Sequence, residues 1–241
     1  GELAEELGDL PLALEQAGAY AEEQGRSLGE YLALYRQYHL EVLERGRPLK
    51  EEYPDTVATT WEISFRKLTP AAAELLNLCA YLAPDDIPCE MIRGGREHLP
   101  EALSAAAGDD LAWYEAAGGL RRYALAEVGE GALAVHRMVQ AVARNRLEED
   151  EQGAFAAAAA GVVAKAFLYE ADDVRAWPAC ARLLPHALAA AGHAEALGVA
   201  PERAGFLLNQ AGMYLHGRAA FGEAKAAYER ALRIDEAAFG P

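Results

Sequence analysis

The chain is short of cysteine, of positive charge and of long apolar runs, and each shortage removes a class of protein. Three Cys in 241 residues, at Cys79, Cys89 and Cys180, give neither the even count nor the close spacing of a disulfide framework or zinc site. A reducing, cytoplasmic setting is expected. The longest apolar run, Ala154 to Ala164, stops at Lys165, well short of the roughly 20 residues a membrane helix needs. No basic segment precedes an apolar stretch at the N-terminus, so neither a leader nor a membrane partner is expected. Twenty-two Lys and Arg stand against 38 Asp and Glu, a net charge of -16 whose field repels phosphate backbones at long range. Nucleic acid is therefore disfavoured as a partner.

Several catalytic signatures are missing as well. No G-x-x-x-x-G-K-[ST] loop occurs, so the chain by itself has no phosphate cradle and is not expected to be an enzyme. The six His never fall into H-x-x-x-H or H-E-x-x-H spacing, which removes a zinc-hydrolase reading. Ser27, Ser64 and Ser104 lack an elbow motif. Gly129 to Ala134 fits G-x-G-x-x-A, but it lies between two strand-like segments and carries Glu130 where a pyrophosphate would sit, so it reads as a hairpin turn.

What the chain does have is helical periodicity almost throughout, with 52% hydrophobic residues, enough to bury a sizeable core. Pro11 opens a helix that Gly25 ends. Ser27 and Glu30 form a capping box, and Gly46 and Pro48 stop the helix that follows. Arg47 to Pro54 reads as a connector. Trp61 and Phe65 mark a short helix, Thr69-Pro70 caps another, and Pro84 to Pro88 forces a turn. Helical patterns interrupted at Gly94-Gly95 and Gly108 lead to a stronger one over Leu111 to Leu120. Two strands are expected, Tyr123 to Val128 and Ala132 to His136, followed by a helix bearing Val139 and Val142. After the acidic run Glu148 to Glu151, four Ala-rich helical segments follow: from Phe155, over Trp177 to Ala191 with Pro185 inside, over Glu202 to Leu215, and over Phe221 to Ile234. Consecutive helix pairs of this kind build helical solenoids. Trp61, Trp113 and Trp177 sit within apolar helical patterns and read as core anchors.

Three places carry a family resemblance. Leu7-Gly8-Asp9-Leu10-Pro11-Leu12-Ala13 resembles the G-L-P-L-A motif of the NB-ARC proteins, a group of STAND signalling NTPases. Leu133 to Gln140, reading L-A-V-H-R-M-V-Q, resembles the M-H-D segment of the winged-helix domain in bacterial members with C-terminal repeats. Arg137 stands where the family name has Asp, so no role for that Asp carries over. Leu208, Ala211, Gly212, Ala224, Tyr228 and Ala231 are spaced as in a tetratricopeptide repeat, with Gly212 and Ala224 as close-contact positions.

The resemblance implies a mainly α protein. Residues 1–50 form a helical subdomain of the ARC type, 51–150 a winged-helix domain with a small β-hairpin wing, and 151–241 the start of a TPR-like α-solenoid. By the same resemblance Pro11, flanked by Leu10 and Leu12, backs an adenine ring, and His136 reaches the β-phosphate of ADP. The nucleotide, ADP or ATP, would be held by a P-loop domain of the same parent chain, with none bound to this piece alone. Both ends read as cuts within a longer polypeptide. The implied function is a regulatory one: the piece senses the nucleotide state and couples it to a repeat region that binds an unknown protein, the parent oligomerising on activation. Two other readings stand beside it, a DNA-binding winged-helix regulator and a plain protein-binding scaffold.

Overall fold

Local signals decide where the helices begin and end in the computed structural model, which describes residues 2–8, 10–44, 55–169 and 174–240, with the backbone alone for Leu12, 39–44, 55–58 and Val174. After α1 (Glu2–Glu6), α2 (Pro11–Glu23) opens on Pro11, whose missing N–H removes a donor that would have no helical partner anyway. Gly25, at φ 60°, ends it, and the Arg26 amide reaches back to the Ala21 carbonyl at 2.8 Å. The Ser27 amide donates to the Glu30 carboxylate at 2.7 Å and the Glu30 amide to the Ser27 hydroxyl at 3.2 Å, which starts α3 (Leu28–Glu44). The expected connector Arg47 to Pro54 lies outside the described residues. Then come α4 (Asp55–Phe65) and α5 (Pro70–Cys79), the latter capped by the Thr69 hydroxyl.

The remaining order is β1 (Ile87–Pro88), α6 (Cys89–Gly94), α7 (Glu101–Ala107), α8 (Asp110–Arg122), β2 (Glu127–Val128), β3 (Ala132–Ala134), α9 (Arg137–Arg146), α10 (Glu149–Ala166), α11 (Trp177–Leu197), α12 (Pro201–Gly217) and α13 (Phe221–Phe239). Short 3-10 turns stand at Arg96–His98 and Val174–Ala176. The chain is thus mainly helical with one small sheet. The acidic run Glu148 to Glu151 begins α10, where carboxylates favour the positive end of the helix dipole. Helix α11 runs on through Pro185 to Leu197.

Helices α2, α3 and α4 pack on one another around the buried Tyr31, Tyr35 and Trp61. Helix α4 also touches α9, so it belongs to both this bundle and the next group. At the centre of that group lies α5, against α7, α8, α9 and α10. Its C-terminal carbonyls are satisfied from α9: the buried Gln140 amide donates to the Cys79 carbonyl at 2.8 Å and to the Leu82 carbonyl at 3.1 Å, while Arg144 reaches the Ala80 carbonyl.

The sheet differs from the expected two-stranded hairpin. It has three antiparallel strands in the order β1-β3-β2, with Ile87 opposite Leu133 and Glu127 opposite Ala134. Pro84 to Pro88 reads locally as a turn; its last two residues, Ile87 and Pro88, are recruited as an edge strand, where Pro88 can sit because it needs to donate nothing outward. The strand expected from Tyr123 begins only at Glu127, because Tyr123 to Leu125 close α8 instead. Ala124 is left-handed at φ 50°, and the Leu125 amide bonds the Leu120 carbonyl at 2.9 Å.

Helix α10 docks onto α5, α6 and the Arg96–His98 turn. Small residues make the approach possible: a Cβ on Gly95 would lie 2.9 Å from the Cα of Val162, and one on Gly161 would lie 2.7 Å from the His98 ring. Helices α10 to α13 then pack each on the next, and the short turn between α12 and α13 makes these an antiparallel hairpin. Gly212 meets the Tyr228 ring there, a Cβ being 2.7 Å from it, and Ala224 is buried.

Two consequences can be measured. Gly95→Ala should cost about 1–3 kcal/mol in urea denaturation, because the obstructing atom is helix backbone and cannot rotate away; a cost within error would mean that α10 sits more loosely than the contact implies. Burial, aided by Arg144, pushes His193 down to about 4, and burial also lowers His186. An unfolded His titrates near about 6.5, so between that value and about 4 the unfolded chain binds more protons than the fold and stability falls as pH drops. The urea midpoint should therefore decline from pH 7 to pH 5, and less so in His193→Phe; parallel declines in the two proteins would exclude His193 as a source.

Candidate functional site

Four segments converge on a cleft of about 590 Å³ whose wall includes Glu15 of α2, Asp85, Arg121 of α8, Glu127 of β2 and His136. A second cleft of similar volume between α6, α10 and α11 has a mostly apolar wall, including Met91, Val162, Pro178 and Leu183. The first holds more groups able to engage a polar ligand, and it contains a residue that the sequence had singled out.

His136 is placed there by both of its neighbours in sequence. On one side β3 ends at Ala134 and the Val135 amide donates to the Pro84 carbonyl at 2.8 Å. On the other, α9 begins at Arg137, with His136 as its N-cap: Nδ1 accepts the Met138 amide at 3.2 Å. An accepting Nδ1 fixes the proton of the neutral ring on Nε2. That leaves an exposed N–H donor on the cleft wall, without a partner among the described residues. Capping and ligand binding are therefore compatible, since they use different nitrogens.

Helix α2 is fixed across the cleft by contacts to the end of α8. The Gln16 amide donates to the Ala124 carbonyl at 2.9 Å, Gln24 donates to the Tyr123 hydroxyl at 3.1 Å, and Arg122 lies 3.3 Å from Glu23. The Tyr20 and Tyr123 rings stand 6.0 Å apart. These contacts hold α2 where Glu15 lines the same cleft as His136. Pro11 is exposed and is not itself on the cleft wall; four residues before Glu15, it lies on the same helix face about 6 Å towards the N-terminus. Leu10 is half-buried against the core, and the side chain of Leu12 lies outside the described residues.

Sequence reasoning did not single out Glu15, Asp85, Arg121 or Glu127 for this site. No local pattern distinguishes these four from other surface charges. Three carboxylates against one guanidinium make the wall acidic. Among the described residues, no group of three or more His, Cys, Asp or Glu is arranged to hold a metal ion. No helix among them is long and apolar enough to cross a membrane.

A family described as Domain of unknown function (DUF7779) matches residues 63–152, from the end of α4 into α10. It therefore contains β3, His136 and most of the cleft. Over 99% of its length the chain is also similar, at 29% identity, to a nucleotide-binding leucine-rich repeat (NLR)-like protein of Hyaloscypha variabilis. It spans about a quarter of that relative, 24% of its length. No solved structure matches.

The cap can be separated from the free nitrogen. His136→Ala should lose about 1 kcal/mol of stability, whereas His136→Asn, which can still cap, should lose only a few tenths. Equal stability of all three proteins in thermal unfolding would show that Nδ1 contributes nothing.

Proposed function

We propose that this chain is the regulatory portion of an NLR-type signalling ATPase, in which the cleft at His136 senses the nucleotide held by a P-loop domain of the same parent. The observation that carries this reading is the convergence of α2 and His136 on one cleft from positions more than a hundred residues apart. Similarity to an NLR-like protein over nearly the whole chain supports it.

In this reading Pro11 offers a rigid apolar face to the adenine, and the Nε2–H of His136 donates to the β-phosphate of ADP. A hydrogen bond to a charged acceptor contributes about 1.5–3 kcal/mol. Glu15, Asp85 and Glu127 would oppose a bare phosphate, so the counter-charge must come from the P-loop Lys and its Mg²⁺. This piece alone should then bind ADP poorly, and the nucleotide should act as a bridge that closes one domain on the other. A bridge stabilises the closed state only by its differential affinity, and exchange for ATP would release it, allowing rotation and oligomerisation. Helices α5 to α9 with the three-stranded sheet would be the winged-helix domain. Helices α12 and α13, closely packed at Gly212 and Tyr228, would be a TPR-like hairpin at the start of a protein-binding repeat region, in a cytoplasmic parent.

A DNA-binding role would need exposed cations, and α9 carries Arg137, Arg144 and Arg146. Arg144 is engaged with the Ala80 carbonyl, and Arg146 donates to Glu62 at 2.7 Å while stacking on Phe65. Both guanidiniums already have partners within the fold, which leaves Arg137 at the start of that helix as its exposed cation.

The test is the parent protein carrying His136→Asn, which preserves the cap. ADP release should accelerate about tenfold or more, as expected for loss of a charged hydrogen bond, and basal activity should rise. Wild-type ADP retention together with wild-type basal activity would remove His136 from the switch.

A further inference from the structure

Residues 84–88 touch the sheet on one side and helix α11 on the other. Towards the sheet, Ile87 pairs with Leu133, the Pro84 carbonyl accepts the Val135 amide at 2.8 Å, and the Cys89 amide donates to the Gly131 carbonyl at 2.9 Å. This segment is the outer rail of β3, which runs directly into His136, and Asp85 itself lines the cleft. Towards the C-terminal helices, the next residue is gripped by α11. Arg182 donates through Nε and Nη2 to the two carboxylate oxygens of Asp86 at 2.8 and 2.7 Å, and His186 donates through Nε2 to the Asp86 carbonyl at 3.1 Å.

Two features show that this grip is specified. Asp86 is held at φ 49°, a left-handed conformation that Asp, with its short polar side chain, adopts more readily than most residues with a Cβ. His186 is 1% exposed, and its Nδ1 is buried with no partner among the described residues. A buried imidazole left half-satisfied calls for a reason, and its one bond goes to Asp86. The bidentate Arg182 pair adds direction as well as attraction, because a guanidinium fork matches a carboxylate in one plane.

We propose that residues 84–88 are a coupling element through which the position of α11 sets the pairing of β1 with β3, and thereby the placement of Asp85 and His136 in the cleft. Strands of two and three residues have few hydrogen bonds of their own, so whatever anchors their ends governs their register and lifetime. A shift of the C-terminal helices pulls on Asp86, and the neighbouring residue is already on the cleft wall. Asp86, Arg182 and His186 are positioning residues in this scheme. The regulatory meaning of the coupling rests on the cleft being the nucleotide sensor; the coupling itself rests on these contacts alone.

The experiment uses this chain without nucleotide, so its failure and that of the nucleotide reading remain distinct. Amide hydrogen exchange at Val135 and Cys89, and the imidazole resonances of His136, are compared in Arg182→Met, Asp86→Asn and Arg230→Met. The last breaks the 2.7 Å ion pair of Arg230 with Glu195, which also involves α11 but lies away from the segment. Arg182→Met should speed exchange at both amides about tenfold and shift His136, as expected when a local opening becomes easier. Asp86→Asn, which still tolerates the left-handed backbone, should act in the same direction more weakly and serves if Arg182→Met does not fold. Arg230→Met should leave Val135, Cys89 and His136 unchanged. Unaltered exchange in the Arg182 and Asp86 variants overturns the proposal, and so does equal acceleration in Arg230→Met, which would mean general loosening.

Discussion

The strand Ala132–Ala134 is bonded by backbone on both edges, to Ile87–Pro88 on one side and Glu127–Val128 on the other, and the placement of the site follows from that sandwiching. A strand this short supplies little stability itself. Its importance is positional, because it ends two residues before His136 and its outer rail is the segment that α11 grips. The imidazole therefore inherits its location from hydrogen bonds made by residues that carry no chemistry.

Rigidity elsewhere supports that placement. Helix α5 is tied to α9 by Gln140 and Arg144, which satisfy carbonyls at its C-terminal end. Helix α10 is brought within backbone contact of α6 by Gly95, so the C-terminal helices are packed against the sheet-bearing group rather than hung from it. The T-shaped contact of Tyr81 with His193, 5.2 Å between ring centroids, adds a further point of attachment for α11. Among these attachments, the contacts of Arg182 and His186 with Asp86 are the ones that reach the segment paired with the sheet.

The charges on the cleft wall are unequal. One free imidazole N–H and one guanidinium face three carboxylates, a balance that does not hold a phosphate unaided. Such a wall suits a ligand whose charge is already neutralised by the surface that presents it. The proposed reading, in which another domain holds the nucleotide, requires a wall of this kind.

The sequence by itself determined most helix boundaries, because caps and breakers are local: Pro11, Gly25, the Ser27–Glu30 pair and Thr69 act on neighbours within a turn. It also pointed to His136, through a flanking pattern whose members have visible roles: Val135 donates to the Pro84 carbonyl, Val139 is buried, and Gln140 holds the end of α5. The third strand depended on tertiary structure, since Ile87–Pro88 becomes a strand only when β3 offers it partners. The late start of β2 is a local effect that strand propensity misreads, because a left-handed Ala124 closes α8 first. The other walls of the cleft were likewise beyond the sequence. Glu15, Asp85, Arg121 and Glu127 are ordinary surface charges along the chain, and only the packing of α2 on α8 and the pairing of the sheet bring them to the cleft that His136 lines, because convergence in space leaves no periodicity in sequence.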